Sequence, residues 1–161
     1  MATGLSPAFA QSSERLAQVN ERIAVSKMVA ATRARAGAKW FYWIAGLSMV
    51  NSIVVFTGGN LHFVVGLGIT SFVDGLAKRV GGAGSVLDII VNGFAAGVFI
   101  LLGIFALKTQ KWAFVVGMTL YGLDGLLLLR VKDYLGVGFH AFALYAIYSG
   151  YKSAKRVQVS I

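Results

Sequence analysis

The fold class this sequence predicts is all-α and polytopic in a membrane, and three observations predict it. Apolar residues make up 57% of the 161, and charged residues only 13%, about half the charged share of an ordinary soluble domain. From residue 39 the apolar residues gather into five long blocks, 40–57, 61–77, 86–107, 112–129 and 134–151. The single proline, Pro7, lies outside all five, so nothing in them forces a helix to break. At a rise of about 1.5 Å per residue, an 18-residue block reaches roughly 27 Å, close to the thickness of a hydrocarbon core. A helix of a soluble bundle needs a polar face, and none of these blocks has one.

The chain divides into a basic N-terminal segment, 1–38, a helical transmembrane domain, 39–152, and a basic C-terminal tail, 153–161. The string Pro7-Ala8-Phe9-Ala10-Gln11 resembles a signal-peptidase site. No basic and apolar stretch precedes it, so a cleaved signal peptide is not expected. Ser12 or Ser13 is the expected cap of a helix with Glu14 in its first turn, running to about Arg35. Leu16, Val19, Ile23 and Met28 form its narrow apolar side, and Arg15, Arg22, Lys27, Arg33 and Arg35 make it basic. Such an amphipathic helix rests on anionic lipid, docks onto a partner, or is a plain solvated helix.

The five blocks carry anchors at their ends. Lys39-Trp40 and Lys111-Trp112 pair a snorkelling cation with an interfacial indole, and Trp43, Tyr134 and Tyr151 also sit near block ends. Five spans with the N-terminus inside put Lys27, Arg33, Arg35, Lys39, Lys78, Arg79, Arg130 and Lys132 on the cytoplasmic side. Lys108, Lys111, Lys152, Lys155 and Arg156 then fall on the other side, a weak positive-inside bias. The alternative is four spans, with one short block re-entrant or interfacial, which brings the basic C-terminal tail inside.

Two stretches read alike. Val73-Asp74-Gly75-Leu76 recurs as Leu123-Asp124-Gly125-Leu126, and Gly93-Phe94-Ala95-Ala96 as Gly138-Phe139-His140-Ala141. Blocks two and three then match blocks four and five as a parallel repeat of two helices, a device of some transporters. Chance likeness among glycine- and leucine-rich helices is the competing explanation.

Polar groups at membrane depth are costly and often functional. Asp124 and His140 each lie eight residues from Lys132. In an antiparallel hairpin that places both about 12 Å from the turn, where an Asp–His hydrogen bond satisfies both groups. The bond is either a neutral clasp fixing helix register or a relay holding a proton. Asp74 is four residues from Lys78 and is expected to pair with it or with Arg79. Asp88 follows the stretch Gly81-Gly82-Ala83-Gly84-Ser85, expected to be a turn, and either caps the third helix or answers the same cations. Asn51 and Asn92 are expected to bridge helices, and His62 to be interfacial. Gly93 with Gly97 makes a GxxxG step, and Ala146 with Gly150 a second small-residue step. Both permit close helix packing, within the chain or between copies.

With no cysteine, thiolate nucleophiles and thiolate-ligated metals or clusters are excluded. Two histidines on opposite sides of the membrane do not share a haem. No G-x-S-x-G string and no phosphate loop occur, and the positive charge follows membrane edges, which argues against nucleic acid. No catalytic residue, metal or cofactor is expected.

Trp43-Ile44-Ala45-Gly46-Leu47-Ser48, Phe63-Val64-Val65-Gly66-Leu67-Gly68-Ile69-Thr70, Leu120-Tyr121-Gly122-Leu123-Asp124-Gly125-Leu126 and Gly138-Phe139-His140-Ala141-Phe142 carry a family resemblance. Over about residues 40–150 the chain resembles an uncharacterised group of small bacterial multi-pass membrane proteins. The resemblance implies the bacterial cytoplasmic membrane and supplies no activity and no site residue. Two functions follow from the residues themselves. One is a non-enzymatic accessory subunit packing on other membrane proteins or on its own copies. The other is a small transporter or proton-conducting channel using Asp124 and His140.

Overall fold

The computed structural model describes residues 7–56, 82–130 and 132–159, and these are helical apart from two tight turns. Four helices result: α1 Pro7–Phe56, α2 Gly82–Leu107, α3 Lys111–Arg130 and α4 Tyr134–Val159. The expected second block, 61–77, lies outside the described residues, together with His62, Asp74, Lys78, Arg79 and the first copy of the Asp-Gly repeat. In the copy that is described, equivalent positions face differently. Ala96 is buried where its counterpart Ala141 is exposed, and Ala95 is half-buried where His140 is buried.

α1 is one unbroken helix of 50 residues. The division expected at 38/39 therefore falls inside continuous helix, and the basic segment and the first apolar block share one axis. Ser12 and Ser13 do not cap it. Their hydroxyls donate to the carbonyls of Phe9 at 2.9 Å and Ala10 at 2.7 Å, the bonding of serine inside a helix, whereas a cap would accept from the backbone. Asp88 is likewise no cap, because α2 already includes Gly82 to Ser85, a stretch expected to be a turn.

The two short turns show why the hairpins form. After α2, the Gln110 amide donates to the Phe105 carbonyl at 3.1 Å and the Thr109 amide to that of Ala106 at 2.9 Å, with Thr109 at φ 58°. After α3, the Asp133 amide donates to Leu128 at 3.0 Å and the Lys132 amide to Leu129 at 3.1 Å, with Lys132 at φ 61°. Both are Schellman terminations, with a non-glycine residue in the left-handed position. Asp133 then starts α4: its Oδ1 accepts from the Gly136 amide at 3.0 Å, and its carbonyl accepts from the Val137 amide at 3.0 Å. A Cβ at Gly136 would lie 2.5 Å from Asp133 Oδ2, so a larger residue there would press on the capping carboxylate.

The helices form a ring in which α1 packs on α2 and α4, and α3 packs on the same two. Neighbours run antiparallel. Gly37 meets Gly150 while Trp40 meets Phe142, with ring centroids 5.3 Å apart. Phe105 meets Trp112 at 5.0 Å and Phe99 meets Tyr121 at 6.0 Å. The centre is filled by Phe41, whose ring lies 6.3 Å from Phe99 and 6.1 Å from Phe114. A Cβ on Gly117 would strike the Phe41 ring.

Each helix turns one seam inward. On α1 it runs through Ala34, Ala38, Phe41, Ile44 and Ala45, and on α2 through Ala96, Phe99, Leu102 and Ala106. Outside the seams the bundle is apolar as well: Phe94, Leu101, Leu126 and Leu135 are exposed. Two helices, over Ile90–Leu107 and Lys111–Arg130, are long and apolar enough to cross a membrane.

This order sets the two ends of the bundle. Phe56 and Gly82 lie at the same end, beside the α3–α4 turn. The N-terminal half of α1, the α2–α3 turn and the end of α4 lie at the other, where Gln158 Nε2 donates to the Thr109 carbonyl at 2.9 Å. Arg15, Arg22, Lys27, Arg33, Arg35, Lys39, Lys108, Lys111, Lys152, Lys155 and Arg156 all belong to that second end, and among the described residues only Arg130 and Lys132 are cations of the first. Before Ala30 the side chains of α1 are exposed except for half-buried Lys27, so roughly 35 Å of helix projects past the packed bundle.

Candidate functional site: a buried Asp–His pair

The described buried polar side chains gather toward the end holding the α3–α4 turn, apart from Ser153. On α3 the inward positions Gly117, Tyr121, Asp124 and Leu128 recur every three or four residues, the spacing of one helix face. On α4, Gly136, His140, Ala143 and Ile147 do the same. The tight hairpin brings the two faces into register, and His140 Nε2 lies 2.9 Å from Asp124 Oδ2. Exposure is 2% for the histidine and 6% for the aspartate.

The backbone decides which protons are present. His140 Nδ1 lies 2.9 Å from the Gly136 carbonyl oxygen, and a carbonyl only accepts, so Nδ1 carries hydrogen. One further proton then lies between Nε2 and Oδ2. On the ring it gives an imidazolium–carboxylate pair, and on the carboxyl it gives two neutral partners. Both forms have zero net charge, which is the condition for burying such a pair at modest cost. Loss of that proton would set two lone pairs against each other.

Packing holds the ring in place. Tyr121 stacks on His140 with centroids 4.1 Å apart and planes at 12°, and Phe99 meets Tyr121 edge-on at 80°. On the other side a Cβ at Gly125 would come within 3.2 Å of His140 Cδ2, so a small residue there lets the imidazole lie against α3. Tyr121 was not singled out from sequence. Its position one turn before Asp124 on the same face was the available signal. Its hydroxyl is buried with no hydrogen-bond partner among the described residues.

The other sequence candidates distribute unevenly. Asn51 and Asn92 are both buried, at 3% and 1% exposure, on the facing helices α1 and α2. Ser48, one turn before Asn51, is equally buried and was missed because a lone serine in an apolar run carries little signal. Asp88 lies in α2, and Asp74 is outside the described residues. Gly150 packs directly on α1, where a Cβ would lie 2.7 Å from Gly37 Cα, and the Ala146 carbonyl faces Gly37. Gly93 and Gly97 do not pack within the described bundle: a Cβ on either meets nothing within 4 Å. Among the described residues no three histidine, aspartate or glutamate side chains gather as a metal site would require.

The chain matches no family model, no curated protein and no solved structure.

Proposed function

We propose that this is a non-enzymatic integral membrane protein, an accessory or scaffold subunit that packs against other membrane proteins or further copies of itself. The observation that carries this reading is the single helix α1, half built into the bundle and half projecting from it. The bundle has apolar side chains inside and out, as lipid solvation requires. Trp112 lies beside the α2–α3 turn at the cation-rich end, in keeping with an interfacial position. Since Phe56 and Gly82 lie at one end, four crossings rather than five account for the described helices. Cation sidedness then assigns the projecting half of α1 and the end of α4 to the cytoplasm. The family resemblance supports a bacterial cytoplasmic membrane.

The projecting helix keeps Leu16, Val19 and Ile23 exposed in line with the seam that α2 and α4 cover further along. An apolar stripe beyond the bundle supports a partner contact, and the surrounding cations support contact with anionic lipid. In mild detergent, the protein should elute in a complex of fixed stoichiometry that is lost when Leu16, Val19 and Ile23 become serine. An unchanged monomer in both cases would end the subunit reading.

One observation favours a second reading, a small transporter or proton-conducting channel: two titratable side chains, Asp124 and His140, are buried and hydrogen-bonded to each other inside the bundle. Purified protein in liposomes that conducts protons, and ceases to when Asp124 is replaced by Asn, would put this reading first. Its weakness is packing, since the imidazole is covered by Tyr121 on one face and both its nitrogens are occupied.

A further inference from the structure

We propose, on the subunit reading above, that the projecting half of α1 and the end of the bundle beside it form a corner that docks an acidic amphipathic helix of a partner protein. Because α1 is one continuous helix, the direction of each exposed side chain follows from 3.6 residues per turn. Phe41 marks the direction of the bundle centre, where it meets Phe99 and Phe114. Leu16 and Ile23 fall within about 20° of Phe41 around the helix axis, and Val19 within about 40°. The stripe therefore faces over the end of the protein's own bundle, a place that the lipid surrounding the bundle does not occupy. Leu16 is 64% exposed, Val19 51% and Ile23 45%, so no described residue covers it.

Charge decides the kind of partner. Arg15 and Arg22, both exposed, stand about 80–100° from Phe41 on one flank of the stripe, whereas Glu14 and Glu21 lie about 160–180° away, on the opposite side of the helix. Where α1 leaves the bundle, exposed Lys108 and half-buried Lys111 flank the α2–α3 turn. Glu14 and Glu21 are the only acids of that end among the described residues. An apolar row beside arginines, with the acids turned away, is the complement of a helix whose leucines are flanked by glutamates. A second copy would bring the same arginines against this flank, a like-charge contact. A nucleic acid would meet the arginines with phosphates but leave Leu16, Val19 and Ile23 in water.

The test uses the full chain in phosphatidylcholine nanodiscs and a fluorescent probe peptide of about three heptads, with leucine at a and d and glutamate at e and g. Anisotropy should show saturable binding that empty nanodiscs lack. Leu16→Ser/Ile23→Ser should weaken it at least about tenfold, and Arg15→Glu/Arg22→Glu at least about fivefold. Arg130→Gln/Lys132→Gln, at the opposite end, should leave it within about twofold. The α1 positions are exposed, so an unchanged melting temperature shows that the bundle of each variant is intact. No binding by the wild type, equal binding by the α1 variants, or equal binding of a peptide with lysine in place of glutamate overturns the site. Ser12→Cys, about 20° from Phe41 on the same stripe, reports what covers it. Its reaction with a soluble maleimide should slow when the acidic peptide is added. Slowing by phosphatidylglycerol nanodiscs alone, or by raised protein concentration alone, would make lipid or a second copy the occupant and overturn the assignment. Elution in mild detergent separates the two levels. A chain that keeps a complex of fixed stoichiometry but ignores the acidic peptide loses only the docking corner, and a chain that elutes as a monomer loses the subunit reading.

Discussion

Gly37 and Gly150 bring the backbones of α1 and α4 so close that a Cβ on Gly37 would lie 2.5 Å from Gly150 Cα and 2.9 Å from its amide nitrogen. Backbone cannot yield as a flexible side chain can, so this contact joins α1, the helix that projects from the bundle, to α4, the helix that bears His140. Small residues at such points replace side-chain burial with direct helix contact.

Replacing Gly150 by Ala should therefore lower stability by about 1–3 kcal/mol, the usual range for overpacking, and Gly150→Leu should prevent the native bundle from forming. Melting in detergent followed by circular dichroism reads this out. A Gly150→Ala protein that melts with the wild type would mean the two helices are further apart than described.

Gly93 and Gly97 make the contrasting case. Gly93 is exposed and Gly97 half-buried, and neither has anything near a Cβ, so Gly93→Ala and Gly97→Ala should change melting by less than about 0.5 kcal/mol. If this face joins copies of the chain, the same substitutions should reduce dimer yield in cross-linking while melting of the monomer stays constant.

The Asp124–His140 pair predicts an ordering of variants. With Nδ1–H held by the Gly136 carbonyl, an Asn at 124 can donate to Nε2, and Asp124→Asn should keep most of the stability. Asp124→Ala leaves buried His140 Nε2 without its acceptor, and His140→Ala removes the Nε2 contact from buried Asp124; each should cost about 1–3 kcal/mol. The double variant should cost clearly less than the sum of the two, which a double-mutant cycle measures. Strict additivity would show that the two side chains do not interact.

The proposed four-crossing arrangement is open to direct labelling, because the chain has no cysteine of its own. Ser12→Cys and Gln158→Cys should react with an impermeant maleimide only from the cytoplasmic side, and Lys132→Cys only from outside. Labelling of Ser12→Cys and Gln158→Cys from opposite sides would restore an odd number of spans.

Much of the helix content was legible from the residues. The blocks at 86–107, 112–129 and 134–151 match α2, α3 and α4 to within a few residues at most boundaries, since their ends are marked by charge, tryptophan and turn chemistry. The continuity of α1 was harder to see. Arg33, Arg35 and Lys39 interrupt hydropathy, but they do not interrupt a helix, and alanine-rich sequence between them favours one. Asp133 as the cap of α4 was also overlooked, although its place three residues before Gly136 has the spacing a cap requires.

By itself, then, the sequence determined that these segments are helical and that their surfaces are apolar, because both follow from local composition and backbone hydrogen bonding. Only the tertiary structure decided which faces meet. Hydropathy marks the inward face of a helix when the outside is water, but these helices are apolar all round and carry no such phase. Whether a glycine lies in a contact, as Gly150 does, or on the outside, as Gly93 does, depends on rotation about the helix axis. That rotation is set by how Phe41, Gly117, Tyr121 and the Asp124–His140 pair fit together at the centre.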